Sequence, residues 1–294
     1  MELKLNLSGS AEPFISYLKS YSRIRESLLL EIDTKKRAFV AKTFTEDKAA
    51  VRFASITFED ANISIVSDTG EAERGDSRIK VGILIQLKKF IQIVERFGSE
   101  CDKEGKSNFD IIVRYEPLVH QDSSVDFVST HIFFSSDSLK MKMSGFRIED
   151  LSYLSDEVFA NNIFNLSDSV SVEISSAKIM DIIKTSEIIK MDPRKDGLVF
   201  FVDGNVLKVK NQEFVEGEDP DFVLTIGELD HTPDYEINVP VYREKFIKML
   251  DKSNENFKLI LGKYTVRGGN DVDRVLFDST ITTTKIVIGA LKDK

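Results

Sequence analysis

Two stretches, Ser16 to Lys19 and Ser175 to Lys178, read Ser-x-x-Lys, a spacing in which a lysine could activate a serine nucleophile. Neither companion motif of that chemistry occurs, so chance is the better account of both. His120, His131 and His231 stand apart with no i, i+4 pairing and offer neither a metal framework nor a general base. The acidic run Glu216, Glu218, Asp219 and Asp221 lacks the spacing and the closing glutamate of a calcium loop and reads as a solvated loop. Gly70 and Gly75 sit in an acidic turn, not in a glycine-rich phosphate cradle. Cys101 is the single cysteine, which excludes an internal disulfide and a Cys-rich zinc site and fits a reducing compartment. The expectation is a non-enzymatic chain with no cofactor and no metal.

The basic residues suggest a different chemistry. Lys19 and Arg23 lie four apart, and Lys89, Gln92 and Arg96 follow steps of three and four, as do Lys245, Lys248 and Lys252. On a helix each set shares one polar face. With Lys88, Lys178, Lys184, Lys190 and Arg243 they make twelve candidate phosphate contacts. The whole chain carries 40 Lys and Arg against 49 Asp and Glu, a net charge of −9, which excludes a uniformly basic nucleic-acid binder. Over four helical segments, however, thirteen bases meet six acids, leaving +7 there and −16 on the remainder. Such faces suit salt-screened contacts to a polyanion backbone without base reading. Lysine and arginine also populate the exposed face of almost any helix, so charge alone leaves both accounts open.

The elements that must position these residues are legible in the hydrophobic period. Most of the 294 residues alternate with period two, in runs such as 109–115, 127–134, 198–202, 206–210, 257–266 and 285–288. Asp203-Gly204-Asn205 reads as a tight hairpin turn and Gly268-Gly269-Asn270-Asp271 as a looser one, so antiparallel meanders are expected. Helical period occurs over 10–25 with Ser10 as cap, over 84–98 ending at a glycine, over 176–190, and over 243–253.

The two halves repeat one another. Leu5-Asn6-Leu7-Ser8 precedes the first helix as Val172-Glu173-Ile174-Ser175 precedes the third, and Lys89-Phe90-Ile91 recurs as Lys245-Phe246-Ile247. Each half is strand, helix, strands, helix, strands. The expected division is an N-terminal domain over 1–150, a connector over 151–168 and a C-terminal domain over 169–294. The N-terminus lacks the pattern of a signal peptide, and no apolar run approaches the roughly 18 residues of a membrane span, which points to a cytoplasmic or nuclear protein.

In this pattern the sequence resembles the DNA sliding clamp family, the ring-shaped polymerase processivity factors that include proliferating cell nuclear antigen and phage clamps. The best stretch runs through Ser171 to Ser175, the third helix, the Asp203-Gly204-Asn205 hairpin, residues 237–250, the strand 257–261 and the terminal Ile286-Val287-Ile288-Gly289-Ala290-Leu291. The resemblance implies an α+β clamp fold of two similar domains, each with two helices packed on antiparallel sheets. It implies three subunits joined head to tail into a ring, with helices lining a hole that encircles double-stranded DNA independently of sequence. Three copies would bring +21 to that hole, comparable with the roughly 15 phosphates of a duplex about 25 Å long.

The resemblance also implies partners, a DNA polymerase and a clamp loader among them, docking through peptides with apolar anchors. The matching positions are Leu151, Tyr153 and Leu154 in the connector and Ile288, Ala290 and Leu291 near the end; the alternative is that these tie the connector to the core. The chain is longer than usual subunits of the family, with extra residues in 101–107, 118–126 and 213–221, which leaves strand register and ring stoichiometry open. Two other readings stand beside the ring: a monomeric viral processivity subunit of the same fold, in host cytoplasm, and a β-rich structural or virion protein whose basic faces are incidental.

Overall fold

The computed structural model describes residues 1–45, 49–70, 79–100, 106–119, 125–144, 164–188, 197–212, 222–250, 255–265 and 271–289. They form two compact units, one of residues 1–43 and 54–154, the other of 44–53 and 155–294. The expected connector over 151–168 lies outside the described residues as far as position 163.

The first unit contains β1 (Glu2–Gly9), α1 (Glu12–Lys19), β2 (Ser27–Asp33), β3 (Ala38–Phe44), β4 (Ala50–Thr57), β5 (Ile63–Asp68), β6 (Lys80–Gln86), α2 (Leu87–Gly98), β7 (Ser107–Val119), β8 (Val125–Ser135) and β9 (Lys140–Ser144), with the ends of β3 and β4 nearest one another assigned to the second unit. The second continues with β10 (Ser167–Ile174), α3 (Ser176–Ile188), β11 (Gly197–Asp203), β12 (Val206–Gln212), β13 (Val223–Glu228), β14 (Asn238–Tyr242), α4 (Arg243–Leu250), β15 (Phe257–Thr265), β16 (Asp271–Ser279) and β17 (Lys285–Gly289).

The repeat read from the sequence is a repeat of pairing. β1 pairs with β7 as β10 pairs with β15, and β2 pairs with β3 and β6 as β11 pairs with β12 and β14. β8 joins β7 to β9 as β16 joins β15 to β17. The alternation that makes these strands also makes the core. Leu3, Leu5 and Leu7 of β1 are fully buried, as are Leu259 and Leu261 of β15, while the residues between them face outward.

Aromatic contacts tie each second helix to its sheet. In the first unit Phe90 of α2 lies 5.5 Å from Phe134 of β8, and in the second Phe246 of α4 lies 5.9 Å from Phe277 of β16. These are the same positions of the repeat. Phe14 of α1 completes the first core against Phe39 at 4.8 Å and Phe90 at 6.4 Å.

Three features differ from the expectation. One pairing is parallel: Phe127 and Val128 of β8 lie alongside Val81 and Gly82 of β6. The chain passes through α2 and β7 between these strands and so returns in the same direction. The first helix stops at Lys19 instead of reaching 25, because the Ser20 and Ser22 hydroxyls donate to the Tyr17 and Lys19 carbonyls and a turn replaces the helix. The second begins at Leu87 instead of 84, because 84–86 pair with β2. The hairpin at 203–205 is as read: Asp203 faces Val206 across a two-residue turn, with Gly204 at φ +65°.

β5 pairs with β1, whereas nothing equivalent to β5 pairs with β10 among the described strands. Asp230 covers part of that edge, and the Tyr235 hydroxyl donates to the Asp168 carbonyl further along it. Ser171 of β10 donates its N–H to Asp230 Oδ1 at 2.9 Å and its hydroxyl to Oδ2 at 2.7 Å, and the Asp230 N–H returns to the Ser171 carbonyl. Burial alone would raise the Asp230 carboxyl, but these bonds and neighbouring His231 outweigh it and hold it below its ordinary value. A depressed carboxyl stabilises the folded state above the carboxylate range and loses that contribution as pH falls through it. Asp230→Asn should therefore lower the thermal midpoint at neutral pH and flatten its decline on the acid side. Midpoints measured between about pH 3 and pH 7 check this, and an unchanged acid limb would refute it.

Candidate nucleic-acid interface

Each helix buries an apolar stripe, and that burial forces its basic residues outward. On α2 the buried residues are Leu87, Phe90, Ile91, Ile93, Val94 and Phe97, which leaves Lys88, Lys89, Gln92 and Arg96 exposed. On α3 burial of Ile179, Ile182 and Ile183 leaves Lys184 exposed and Lys178 half-buried. On α4 burial of Phe246, Met249 and Leu250 leaves Arg243, Lys245 and Lys248 half-buried. Lys19 is exposed at the end of α1 and Arg23 in the turn beyond it, while Lys190 and Lys252 lie outside the described residues.

Within each unit the two helices are neighbours. In the first, a Cβ added to Gly98 would meet the Ala11 Cβ at 2.8 Å, so glycine there permits the approach of the end of α2 to the start of α1. Lys19 bridges the same pair of helices through Glu95 at 2.8 Å. In the second unit the Arg243 guanidinium at the start of α4 donates to the Ser186 carbonyl in the last turn of α3.

The candidate cations differ in how far they are engaged. The hydrogen bond with Glu95 raises the Lys19 ammonium above its ordinary value despite some desolvation. Arg96 pairs with Glu100 at 3.1 Å, and the other Glu100 oxygen accepts from Ser136 and Ser138, which hold that carboxyl below its ordinary value. Lys248 pairs with Glu244 at 2.5 Å, and Lys245 sits 4.2 Å above the Tyr242 ring. Lys88, Lys89, Lys178 and Lys184 have no acidic partner among the described residues. Over the observed helix spans nine bases meet five acids, so the excess is +4 instead of the +7 of the longer expected segments.

The discounted motif has a structural role in one case: the Ser175 hydroxyl accepts from the Lys178 N–H and caps α3. Ser10, expected as the cap of α1, accepts from the Glu12 N–H one residue outside the helix, and Ala11 occupies the cap position without a side-chain bond. Of the expected peptide anchors, Leu151, Tyr153, Leu154, Ala290 and Leu291 lie outside the described residues. Ile288 is fully buried in the core, in register between Val275 of β16 and Ala50 of β4. Glu95 is the residue the sequence reading missed. Its spacing along α2 is visible, but its partner comes from another helix.

This architecture is the sliding-clamp fold, α+β with two adjacent helices in each unit packed on sheets that are antiparallel but for the β6–β8 pairing. The chain is similar over 98% of its length to 99% of proliferating cellular nuclear antigen from Entamoeba histolytica, with a TM-score of 0.60 and 11% identity. It is similar over 99% of its length to the whole of PCNA from A. fulgidus, solved bound to the C-terminal region of FEN-1, with a TM-score of 0.57 and 11% identity. The Helicobacter pylori beta clamp, solved bound to a DNA ligase peptide, is matched over 98% of this chain and 67% of its own, with a TM-score of 0.59 and 13% identity. Neither a protein-family model nor a curated protein matches the sequence.

Glu95→Gln should release Lys19 and remove one negative charge from the basic surface. Duplex DNA should then be retained to higher salt, with a log affinity against log salt slope steeper by roughly one. Fluorescence anisotropy across a salt series measures it, and an unaltered slope would show that Lys19 makes no phosphate contact.

Proposed function

We propose that this chain is a DNA polymerase sliding clamp: a head-to-tail ring, trimeric as in the resemblance, that encircles duplex DNA and tethers polymerase and other replication proteins. The observation that carries the reading is a pair of strand edges. β17 pairs with residues 50–53 of β4 within the second unit. Their counterparts in the repeat are β9 and β13. Among the described strands β9 pairs only with β8, and β13 only with β12. A second copy offering β13 to β9 would reproduce the β17–β4 pairing, and a contact between two different surfaces closes into a ring when its rotation permits. Lys140 and Lys142 on β9 would repel a second β9 and so disfavour like-with-like pairing.

The mechanism is topological. Lys88, Lys89, Lys178 and Lys184, with Arg243, Lys245 and Lys248 beside them, would meet phosphates through flexible, salt-screened contacts that hold no fixed register. Closure would retain the protein while these contacts let it travel. Residues 151–168 serve in this reading as the interdomain connector, and Leu151, Tyr153, Leu154, Ala290 and Leu291 as anchors for partner peptides, including those of a clamp loader. The peptide-bound neighbours support that use. No described helix is long and apolar enough to cross a membrane, and the proposed site of action is cytoplasmic.

Two experiments test the reading. Lys140→Glu with Lys142→Glu should shift native mass from about 100 kDa, three copies of 33.3 kDa, to that of one chain. A native mass of one chain before substitution would instead favour the monomeric processivity subunit. Replacing Lys245, Lys248 and Lys252 together with Glu should abolish polymerase stimulation while leaving native mass and thermal midpoint unchanged; retained stimulation would reject those residues as the DNA contact.

A further inference from the structure

Arg52 of β4 places a guanidinium in the core of the second unit, and the clamp reading assigns it no task. It is 2% exposed. Its strand pairs with β17, where Arg52 stands opposite Ile286 and Ala50 opposite Ile288, and these three neighbours are also buried. Replacing a buried charge by a well-packed apolar side chain of similar volume is often neutral or stabilising, so apolar burial alone does not account for an arginine here. What an apolar side chain lacks is a donor.

That donor is used at the end of a helix. Nη1 of Arg52 donates to the Met249 carbonyl at 2.7 Å, across 197 positions of the chain. Met249 lies in the last turn of α4, whose final four carbonyls have no partner within the helix, and a cation there also meets the negative end of the helix dipole. Such a charge-assisted bond is short and strong. At eight residues α4 is too short to persist without tertiary support. Its start is held by β14, which it follows without a loop, and by Arg243 on the Ser186 carbonyl. Arg52 holds the other end. Lys248 belongs to the same last turn, so the bond also fixes where that lysine stands. The first unit closes its equivalent helix locally: the Ser99 hydroxyl donates to the Arg96 carbonyl of α2 and the Glu100 N–H to that of Phe97.

We propose that Arg52 is a positioning residue for the phosphate contacts of α4. Buried as it is, it meets no phosphate itself; it fixes the last turn of the helix and with it the basic face that Lys245 and Lys248 present. This rests on the reading of that face as a DNA contact. Residues 44–53, which pack with the second unit, thereby serve the helix as well as the β17 edge.

The test compares Arg52→Met, which keeps a long stem without a donor, with Arg52→Lys, which restores one. Amide hydrogen exchange and the salt dependence of duplex affinity are read on the full-length chain. Arg52→Met should speed exchange over residues 247–250 about tenfold while the β15 and β16 amides hold. It should make the slope of log affinity against log salt shallower by roughly one. The thermal midpoint and native mass should not fall, and Arg52→Lys should return exchange and slope together. Unchanged exchange would overturn the hold on the turn, and faster exchange with an unaltered slope would overturn its part in DNA contact. Lys245→Glu with Lys248→Glu, made with Arg52 in place, separates the two levels. If that variant also leaves the slope unaltered, the DNA-contact reading of α4 falls; a shallower slope there but not in Arg52→Met rejects the positioning role alone. Exchange that rises across the whole unit, or loss of folding in Arg52→Met, would make Arg52 a core residue only and overturn the proposal.

Discussion

The burial of one phenylalanine at the same position of each repeat governs the rest of the basic surface. Phe90 and Phe246 are 2% and 0% exposed, each against a phenylalanine of the strand two elements later. Each sits in a helix that begins on the residue after a paired strand, at Gln86 to Leu87 and at Tyr242 to Arg243. With no loop between, the strand ladder and the aromatic contact together set both the origin and the rotation of the helix. Lys88, Lys89 and Arg96, or Lys245 and Lys248, then have only the outer side available. Charge placement is a consequence of core packing, and loss of the aromatic would release the basic face even though it touches no ligand.

That coupling explains which features could be read from the residues. The helices, the 203–205 turn and the repeat are local or periodic, and the apolar stripe around Phe90 or Phe246 records them directly. The parallel β6–β8 pairing is not local, because a period of two says which side of a strand is buried but not which strand lies beside it. The same limit hides the division of β4 between the two units. The Lys19–Glu95 pair escapes for a related reason: i, i+4 spacing identifies a shared face on one helix, while this counter-ion arrives from the next. Arg52 is harder still, since the carbonyl it reaches lies 197 positions further along the chain and only the β4–β17 register brings it there.

The engaged and unengaged cations together suit a loose interface better than a tight one. Lys19, Arg96 and Lys248 are held by Glu95, Glu100 and Glu244, which limits how much positive charge is presented. Exposed pairs of this kind contribute little to stability and are weakened by salt. A phosphate can therefore compete for such a lysine at small cost. Under the proposed function, such a surface would hold a polyanion without a fixed register, as a travelling ring requires.

Edge strands give the last step of the synthesis. An unpaired edge invites indiscriminate pairing, and this chain treats its edges in two ways. β10 has its exposed backbone engaged by Asp230, through both carboxylate oxygens and a main-chain bond at Ser171, so its edge is blocked from within. β9 and β13 carry no such cover among the described residues, but β9 is short and bears Lys140 and Lys142, which repel a second β9. The same lysines would thus oppose like-with-like aggregation while leaving the unlike contact open. A protein with no use for those edges would gain by closing them as it closes β10, and their treatment by charge instead of by cover is what the proposed head-to-tail assembly would explain.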